Sequence, residues 1–388
     1  MTLCDIPNGR FDTWKTGLPK SVRVLILTAS FGEGHNAAAR GLQMAFEERE
    51  WLSISSKAHI VDICALAYPR LNKIIRWAYL KAINHMPKFW KRVFDRFDAG
   101  MEKWLKCLSG VEVCLKREID AFGPDAVVST FPFYNQMIDR LYATPDKVPF
   151  KRFIVVTDSI CINSIWARGT CDFFIVPNRP TLEALKVHGV PMSSILDLGF
   201  PVSLKFANCQ IPRNTPPPWH ILYMPGGPWN KIEENVRQLS TLPNVELTLA
   251  AGKDVAMLAS LNRLIAQISS PATVIGWVED MPERLLRQHL VIGKAGGAIV
   301  QETIAAGCPM IVSQVVPGQE EGNVSLILQQ GVGAVAEEPE QLKALLLRAM
   351  QNEGALWRTW KSNLLAIQRP LAAQTIARFV LGRLNTKA

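Results

Sequence analysis

The sequence predicts an α/β protein built from two parallel-sheet domains. Three observations carry this expectation. Val22–Thr28 (VRVLILT) is a continuous apolar run rich in β-branched residues, the pattern of a strand buried on both faces. The stretch 291–333 reads strand, glycine turn, helix, strand, loop, helix, the order of a parallel unit. Between such segments lies a proline-rich stretch, 202–219, with Pro212, Pro216, Pro217 and Pro218, the composition of a semi-rigid linker. A length of 388 residues suffices for two ordinary domains. Hydrophobic residues at 48% and charged residues at 20% fit a folded chain and exclude a disordered one.

Residues 1–20 read as a loosely held leader without the apolar core of a secretory signal. No run approaches the roughly 20 apolar residues of a spanning helix, so any membrane is met from the side. The eight cysteines, Cys4, Cys64, Cys107, Cys114, Cys161, Cys171, Cys209 and Cys308, show no C-x-x-C spacing. Scattered through a large core, they read as reduced and mostly buried, in a cytosolic setting. No cluster of metal ligands is visible, so no metal is expected.

After the first strand comes Ala29-Ser30-Phe31-Gly32-Glu33-Gly34-His35, then helical composition over Asn36–Arg49. A glycine turn at the carboxyl edge of a parallel sheet is where such folds bind ligands. The spacing G-x-G-H is not the dinucleotide fingerprint. His35 has chemistry suited to taking a proton from an alcohol near neutral pH, or it orients the loop. Ala58–Leu66 (AHIVDICAL) reads as the next strand, with Asp62 near its end.

The net charge of +9 suits nucleic acid, an anionic membrane or a phosphorylated ligand, and its location has to decide. Ten cationic and three anionic residues fall between Arg70 and Lys106, which accounts for most of the excess. In the same segment Trp90, Val93, Phe94, Phe97, Met101, Trp104, Leu105 and Leu108 fall in the i, i+3, i+4, i+7 pattern of one helical stripe. Lys91 and Arg92 lie largely off it. Aromatic rings with cations on the other face suit a helix lying in a membrane interface over anionic lipid. The alternative is a core-facing helix with a solvated basic face. Nucleic acid is not expected, because no stacking or base-reading module appears.

A helix is expected over Val111–Phe122, then a strand at 126–130 leading into Phe131, which with Tyr134 reads by itself as an ordinary core aromatic. Arg152–Thr157 is a buried strand ending at Asp158. That carboxylate either orients His35, binds an acceptor or caps the strand end. Phe173–Pro177 is a short strand and Thr181–Val187 a helix. In the second half His220–Met224 runs into Pro225-Gly226-Gly227-Pro228, again a strand into a glycine turn. Val245–Ala250 and Ala272–Trp277 are strands, the latter followed by Val278-Glu279-Asp280-Met281. From Val291 the chain reaches Lys294, then Gly296-Gly297 and a helix holding Glu302. A helix N-terminus behind two Cβ-free residues lets backbone N–H groups approach a diphosphate, though a bare tight turn reads alike. Glu302, one to two turns in, can accept both hydroxyls of a ribose. A strand at Met310–Val316 leads to Pro317-Gly318-Gln319-Glu320 and a helix carrying Asn323. Helices at 341–350, 355–367 and 372–385 close the chain.

The run GKAGGAIVQETIAAGCPMI…PGQEEGN closely resembles the donor half of lipid-directed UDP-sugar transferases. That group holds monogalactosyldiacylglycerol synthases, bacterial diacylglycerol glucosyltransferases and the N-acetylglucosaminyltransferase of peptidoglycan assembly. G-x-G-H, the LGFPV at Leu198–Val202 and the GWVEDM at 276–281 resemble further motifs of the group. The resemblance covers roughly residues 22–367 and implies a GT-B fold of glycosyltransferase family 28 type: two doubly wound Rossmann-like domains facing a cleft. Ala295 departs from the proline usual before the glycine pair, and the span between Asp158 and Trp166 lacks a histidine often found there.

The resemblance also implies roles. Glu302 would hold the uridine ribose, while Gly34, Gly226, Gly227, Gly296, Gly297 and Lys294 would face the donor phosphates. The loop and helix start Pro317, Gly318, Gln319, Glu320 and Asn323 would surround diphosphate and sugar, and the main chain at Val278 the uracil. His35 would be the base, or a positioner of diphosphate or sugar, and Phe131 with Tyr134 would line an acyl or glycerol site for the acceptor. The implied reaction moves a hexose from UDP-glucose or UDP-galactose to diacylglycerol or a related lipid, inverting, at the cytoplasmic face of a membrane, with no resident cofactor. A polyprenyl-linked acceptor, or UDP-sugar binding without turnover, are the rival readings. The final helix would pack back on the first domain.

Overall fold

The structure is a computed structural model that describes residues 21–48, 55–85, 109–142, 144, 147–209, 216–318 and 320–384. Trp90, Lys91, Arg92, Phe94, Phe97 and Trp104, named above as a membrane stripe, lie outside the described residues, as do Gln319 and the leader. The chain divides into two units: Met1–Leu80, Arg92–Leu204 and Leu371–Ala388 form the first, Lys81–Lys91 and Lys205–Pro370 the second.

In the first unit the described strands are β1 (Val22–Thr28), β2 (Ser56–Asp62), β3 (Ala126–Ser129), β4 (Lys151–Val155), β5 (Phe173–Val176) and β6 (Ile195–Asp197). They pair in the order β2-β1-β3-β4-β5-β6, all parallel. Val22, Val24 and Ile26 enter one core with Val128, Phe153 and Val155, while Leu25 and Leu27 enter a second core with Val127. That alternation puts apolar side chains on both faces, so helices must cover both, and the strands read as unbroken apolar runs. The helix Ala372–Leu384 belongs to this unit. Its Ala373, Ile376, Ala377, Val380 and Leu381 complete the first of those cores.

In the second unit β7 (Trp219–Tyr223), β8 (Val245–Gly252), β9 (Ala272–Gly276), β10 (Leu290–Lys294), β11 (Met310–Gln314) and β12 (Gly333–Val335) pair as β12-β11-β10-β7-β8-β9, again all parallel. Both sheets are therefore doubly wound, as predicted. Each has one place where successive strands depart in opposite directions: between β1 and β3 in the first sheet, between β7 and β10 in the second. The crevice outside the carboxyl ends there is where open α/β sheets bind ligands.

Several local expectations change. The apolar run 58–66 is not one strand: β2 ends at Asp62, whose carboxylate accepts from Ala65 N–H at 2.8 Å and caps a short helix, Ile63–Ala67. The first helix starts at Glu33 rather than Asn36, so Gly34 and His35 sit in its first turn. The stretch 202–219 is only partly a linker. Val202 and Leu204 are buried, and the helix Lys205–Asn208 is tied by Lys205 to Glu283 at 2.8 Å. Helices at Phe133–Leu141, Trp229–Ser240, Val255–Ile265 and Met281–Arg287, with β6 and β12, were not named from sequence; most are short or begin beside proline. The cysteines are less buried than expected. Among those described, Cys114 and Cys308 are buried, Cys161 is exposed, and all six are free thiols.

Candidate functional site

Each switch point holds a polar cluster. In the first unit the chain leaves β1 through Gly32, whose φ of 148° only glycine adopts freely, and enters the helix Glu33–Glu47. The loop is pinned from below. Asp62 accepts from Ser30 N–H at 2.8 Å, and Asn36 bridges Thr28 Oγ1 at 3.0 Å and Ser30 Oγ at 3.3 Å. This carries His35 over the ends of β3 and β4. Its Nδ1 lies 2.7 Å from the Thr130 carbonyl and 2.8 Å from Thr157 Oγ1. Thr130 Oγ1 returns a bond to the His35 carbonyl at 3.1 Å.

Around the ring, Phe131 packs edge-on at 5.2 Å and Trp166 is tilted at 6.2 Å. Burial pushes His35 below its ordinary pKa of 6.5, and the charge of Asp158 with the Thr130 carbonyl opposes this only in part. A neutral imidazole with an available lone pair is therefore the resting form at pH 7. Asp158 sits at the end of β4 as read from sequence, and its Oδ2 accepts from Trp166 Nε1–H at 2.7 Å. Its influence on His35 is that of a neighbouring charge. Phe131 is 6% exposed and Tyr134 wholly buried, with Tyr134 Oη donating to the Thr28 carbonyl at 2.9 Å. Tyr134 is thus a core residue, and Phe131 reaches the site only as the wall behind His35.

In the second unit, Gly226-Gly227 follow β7 and Lys294 to Gly297 follow β10, so the topology brings these distant stretches side by side. A Cβ at Gly226 would meet the ends of the Lys294 and Gln314 side chains and force them to move, and Gly227 has a φ of +91°. Gly296 caps the helix Gly297–Ala306, on whose second turn Glu302 lies half-buried. Glu320, 8% exposed, turns its carboxyl back on its own loop and accepts from Val316 N–H at 2.9 Å. Burial raises its pKa to about 7, against the pull of that N–H and of Lys294. Lys294 is in turn held below the ordinary lysine value by burial, opposed by Glu320.

Asn323 Nδ2 donates to the Ala295 carbonyl at 2.9 Å and so ties the next helix to the glycine turn. Its Oδ1, like Gln314 Oε1, is buried with no hydrogen-bond partner among the described residues. Pro317 and Gly318 form the turn between β11 and Glu320, with Gly318 at φ +86°. Val278 lies beyond β9, next to the exposed Trp277, over whose ring Lys253 Nζ sits at 3.8 Å.

Two clusters thus emerge, each within one unit. His35, Asp158 and Phe131 come together in the first. Gly226, Gly227, Lys294, Gly296, Glu320 and Asn323 come together in the second. Thr130, Thr157 and Gln314 were not identified from sequence. Their one signal is a polar residue at or just beyond the carboxyl end of a buried strand, informative only once the strand order is known.

Comparison with known proteins agrees with this picture. Residues 35–202 match the sequence profile of the family described as Monogalactosyldiacylglycerol (MGDG) synthase. A processive diacylglycerol beta-glucosyltransferase of Bacillus cereus strain B4264 is 25% identical over 354 residues, covering 86% of this chain and 87% of its own. Among solved structures, the glycotransferase of kitacinnamycin superposes with a TM-score of 0.64 at 12% identity, covering 95% of this chain and 100% of its own. The UDP-GlcNAc 2-epimerase of Neisseria meningitidis, bound to UDP-GlcNAc, gives 0.58 at 13% identity, covering 93% and 100%. At such identities the structural likeness speaks for the fold alone, and that fold serves transferases and epimerases alike.

Proposed function

The chain is a relative of the diacylglycerol glucosyltransferases and monogalactosyldiacylglycerol synthases, and from that premise we propose that it transfers a hexose from UDP-glucose or UDP-galactose to the hydroxyl of a diacylglycerol-type lipid. The observation that carries the reading is the neutral His35 at the switch point of the first sheet, where the synthase-like profile begins. His35 takes the proton of the acceptor hydroxyl. The oxygen attacks the anomeric carbon, and the bond to the diphosphate breaks on the opposite face, which inverts the centre. Asp158 favours the imidazolium that forms.

Backbone N–H groups at Gly226-Gly227 and Gly296-Gly297, with Lys294, neutralise the departing UDP, and Glu302 accepts from its ribose. Glu320 and Asn323 border the sugar, and the backbone at Val278 borders the uracil. The donor nucleotide sugar is the only co-substrate, with no resident cofactor. Asn323 Oδ1 and Gln314 Oε1, buried with no partner among the described residues, support a polar ligand at this second cluster.

The same reading places the protein on the cytoplasmic face of an anionic membrane. Among the described residues no helix is long and apolar enough to cross one. The described part of the helix Pro69–His85 exposes Leu71, Ile74, Ile75 and Trp77, the last two at 44% and 62%, beside the exposed Arg70 and Lys73. This is an apolar surface with flanking cations, the make-up of an interfacial helix.

The test is incubation with radiolabelled UDP-glucose or UDP-galactose and mixed lipids. Labelled glycolipid is the expected product. Label on polyprenyl carriers would move the acceptor to that class. UDP-sugar binding without any product would make this a peripheral binding protein.

A further inference from the structure

His35 Nδ1 faces two oxygens, and only one of them can change its role. The Thr130 carbonyl, 2.7 Å away, can accept and nothing else. If Nδ1 carried the lone pair, two acceptors would meet at that distance in a buried site, a repulsive contact. A proton on Nδ1 makes the same geometry a hydrogen bond. The Thr157 hydroxyl, 2.8 Å away, is able to accept from the same N–H because its own proton rotates elsewhere. Both threonines are fixed: Thr130 is 0% and Thr157 3% exposed. Asp158, the carboxylate beside the ring, is engaged by Trp166 Nε1–H. The ring is therefore set by a carbonyl and a hydroxyl, two neutral acceptors that approach Nδ1.

We infer that Thr157 is a positioning residue: with the Thr130 carbonyl it keeps the proton of His35 on Nδ1 and leaves Nε2 as the lone pair that receives the proton of the acceptor hydroxyl. The second half of this statement rests on the proposed transfer. In that step the acceptor O–H bond breaks and its proton binds Nε2. The oxygen bonds to the anomeric carbon, and the sugar–phosphate electron pair leaves with UDP. Nδ1–H stays in place throughout and anchors the imidazolium. The tautomer matters because a ring whose lone pair points at the wrong partner cannot act as base.

Two measurements on the full chain test this separately. Long-range proton–nitrogen correlation spectra of protein labelled with nitrogen-15 histidine, assigned by loss of the signal in His35→Gln, read the tautomer without any turnover. At pH above the histidine range, Nδ1 is expected as the protonated nitrogen and Nε2 as the pyridine-type one. The reverse pattern overturns the assignment even if transfer is normal. Conversely, absent transfer with Nδ1–H in place removes the functional reading and leaves the ring's anchoring standing.

In kinetics, Thr157→Val is expected to lower kcat by roughly tenfold with KM within about twofold, and Thr157→Ser to restore most of the loss. Equal activity of Thr157→Val and the parent overturns the inference. So does a loss in Thr157→Val that Thr157→Ser does not repair, since that outcome marks a packing role.

Discussion

The two switch-point clusters share an architecture and a burial that favours neutral side chains, yet differ in how far their polar atoms are partnered. In the first unit the central group is neutral and its anchoring is complete. Burial keeps His35 uncharged, and Nδ1 is met by a carbonyl and a hydroxyl. In the second unit the central groups are ionisable and their surroundings unfinished. Lys294 and Glu320 are both pushed toward their neutral forms by burial, and Asn323 Oδ1 and Gln314 Oε1 lack partners among the described residues. A completed cluster holds one side chain in one orientation. An incomplete one, with a helix N-terminus and glycines beside it, has polar capacity left for something that arrives. The contrast teaches that a shared topology places the sites, while burial and hydrogen-bond completeness divide the labour.

The sharpest way to break this contrast is His35→Ala. Transfer is expected to fall by about 10²- to 10⁴-fold while UDP affinity stays within a few-fold. Near-normal turnover in the variant removes the base from the first cluster. Next in size is Glu302→Ala in the second cluster. UDP affinity by calorimetry is expected to weaken about 10- to 100-fold, the worth of hydrogen bonds to a charged group. Inorganic pyrophosphate should bind as before, and a parallel loss of pyrophosphate binding would move Glu302 away from the ribose.

Glu320→Gln sharpens the comparison through pH. The carboxyl rises from its ordinary 4.5 to about 7 in the fold. The folded state therefore holds a proton that the unfolded chain has lost between those values. Stability from this group is present below the lower value, is lost as pH rises through the window, and is flat above it. The charged form costs about 3 kcal/mol, so the Tm of Glu320→Gln relative to the parent is expected to climb by several degrees from pH ~4.5 to ~7.5. A constant Tm difference across that range would mean that Lys294 compensates the buried carboxylate in full. His35, with its lowered pKa, acts in the opposite direction and is common to both proteins, so the difference isolates Glu320.

The smallest expected effect lies outside both clusters. Leu71→Glu combined with Trp77→Glu should reduce flotation with anionic vesicles while leaving UDP binding unchanged. Equal flotation of the double variant would count against the helix Pro69–His85 as a membrane contact.

Much of this protein is legible before folding because its strands are buried on both faces. Such strands must be apolar throughout, and their ends must turn sharply, so runs such as Val22–Thr28 and the glycine pairs at 226–227 and 296–297 announce both sheets. His35, Glu302 and Asp158 stand out as chemistry-bearing residues that follow such runs within a short turn or the first turns of the next helix. Local competition decided what periodicity misread. Asp62 sits within an apolar stretch, and its side chain caps a helix where a continuing strand was expected.

By itself, then, the chain determined two parallel α/β units, their glycine turns and the residues with chemistry to offer. Tertiary structure alone decided which of them meet. Thr130 and Thr157 are 95 and 122 residues from His35 and reach its ring only because β3 is inserted beside β1 and β4 beside β3. The physical reason is that strand order is set by how the helices pack on each face. A hydrogen bond across neighbouring strand ends leaves no periodic trace in the sequence that makes it.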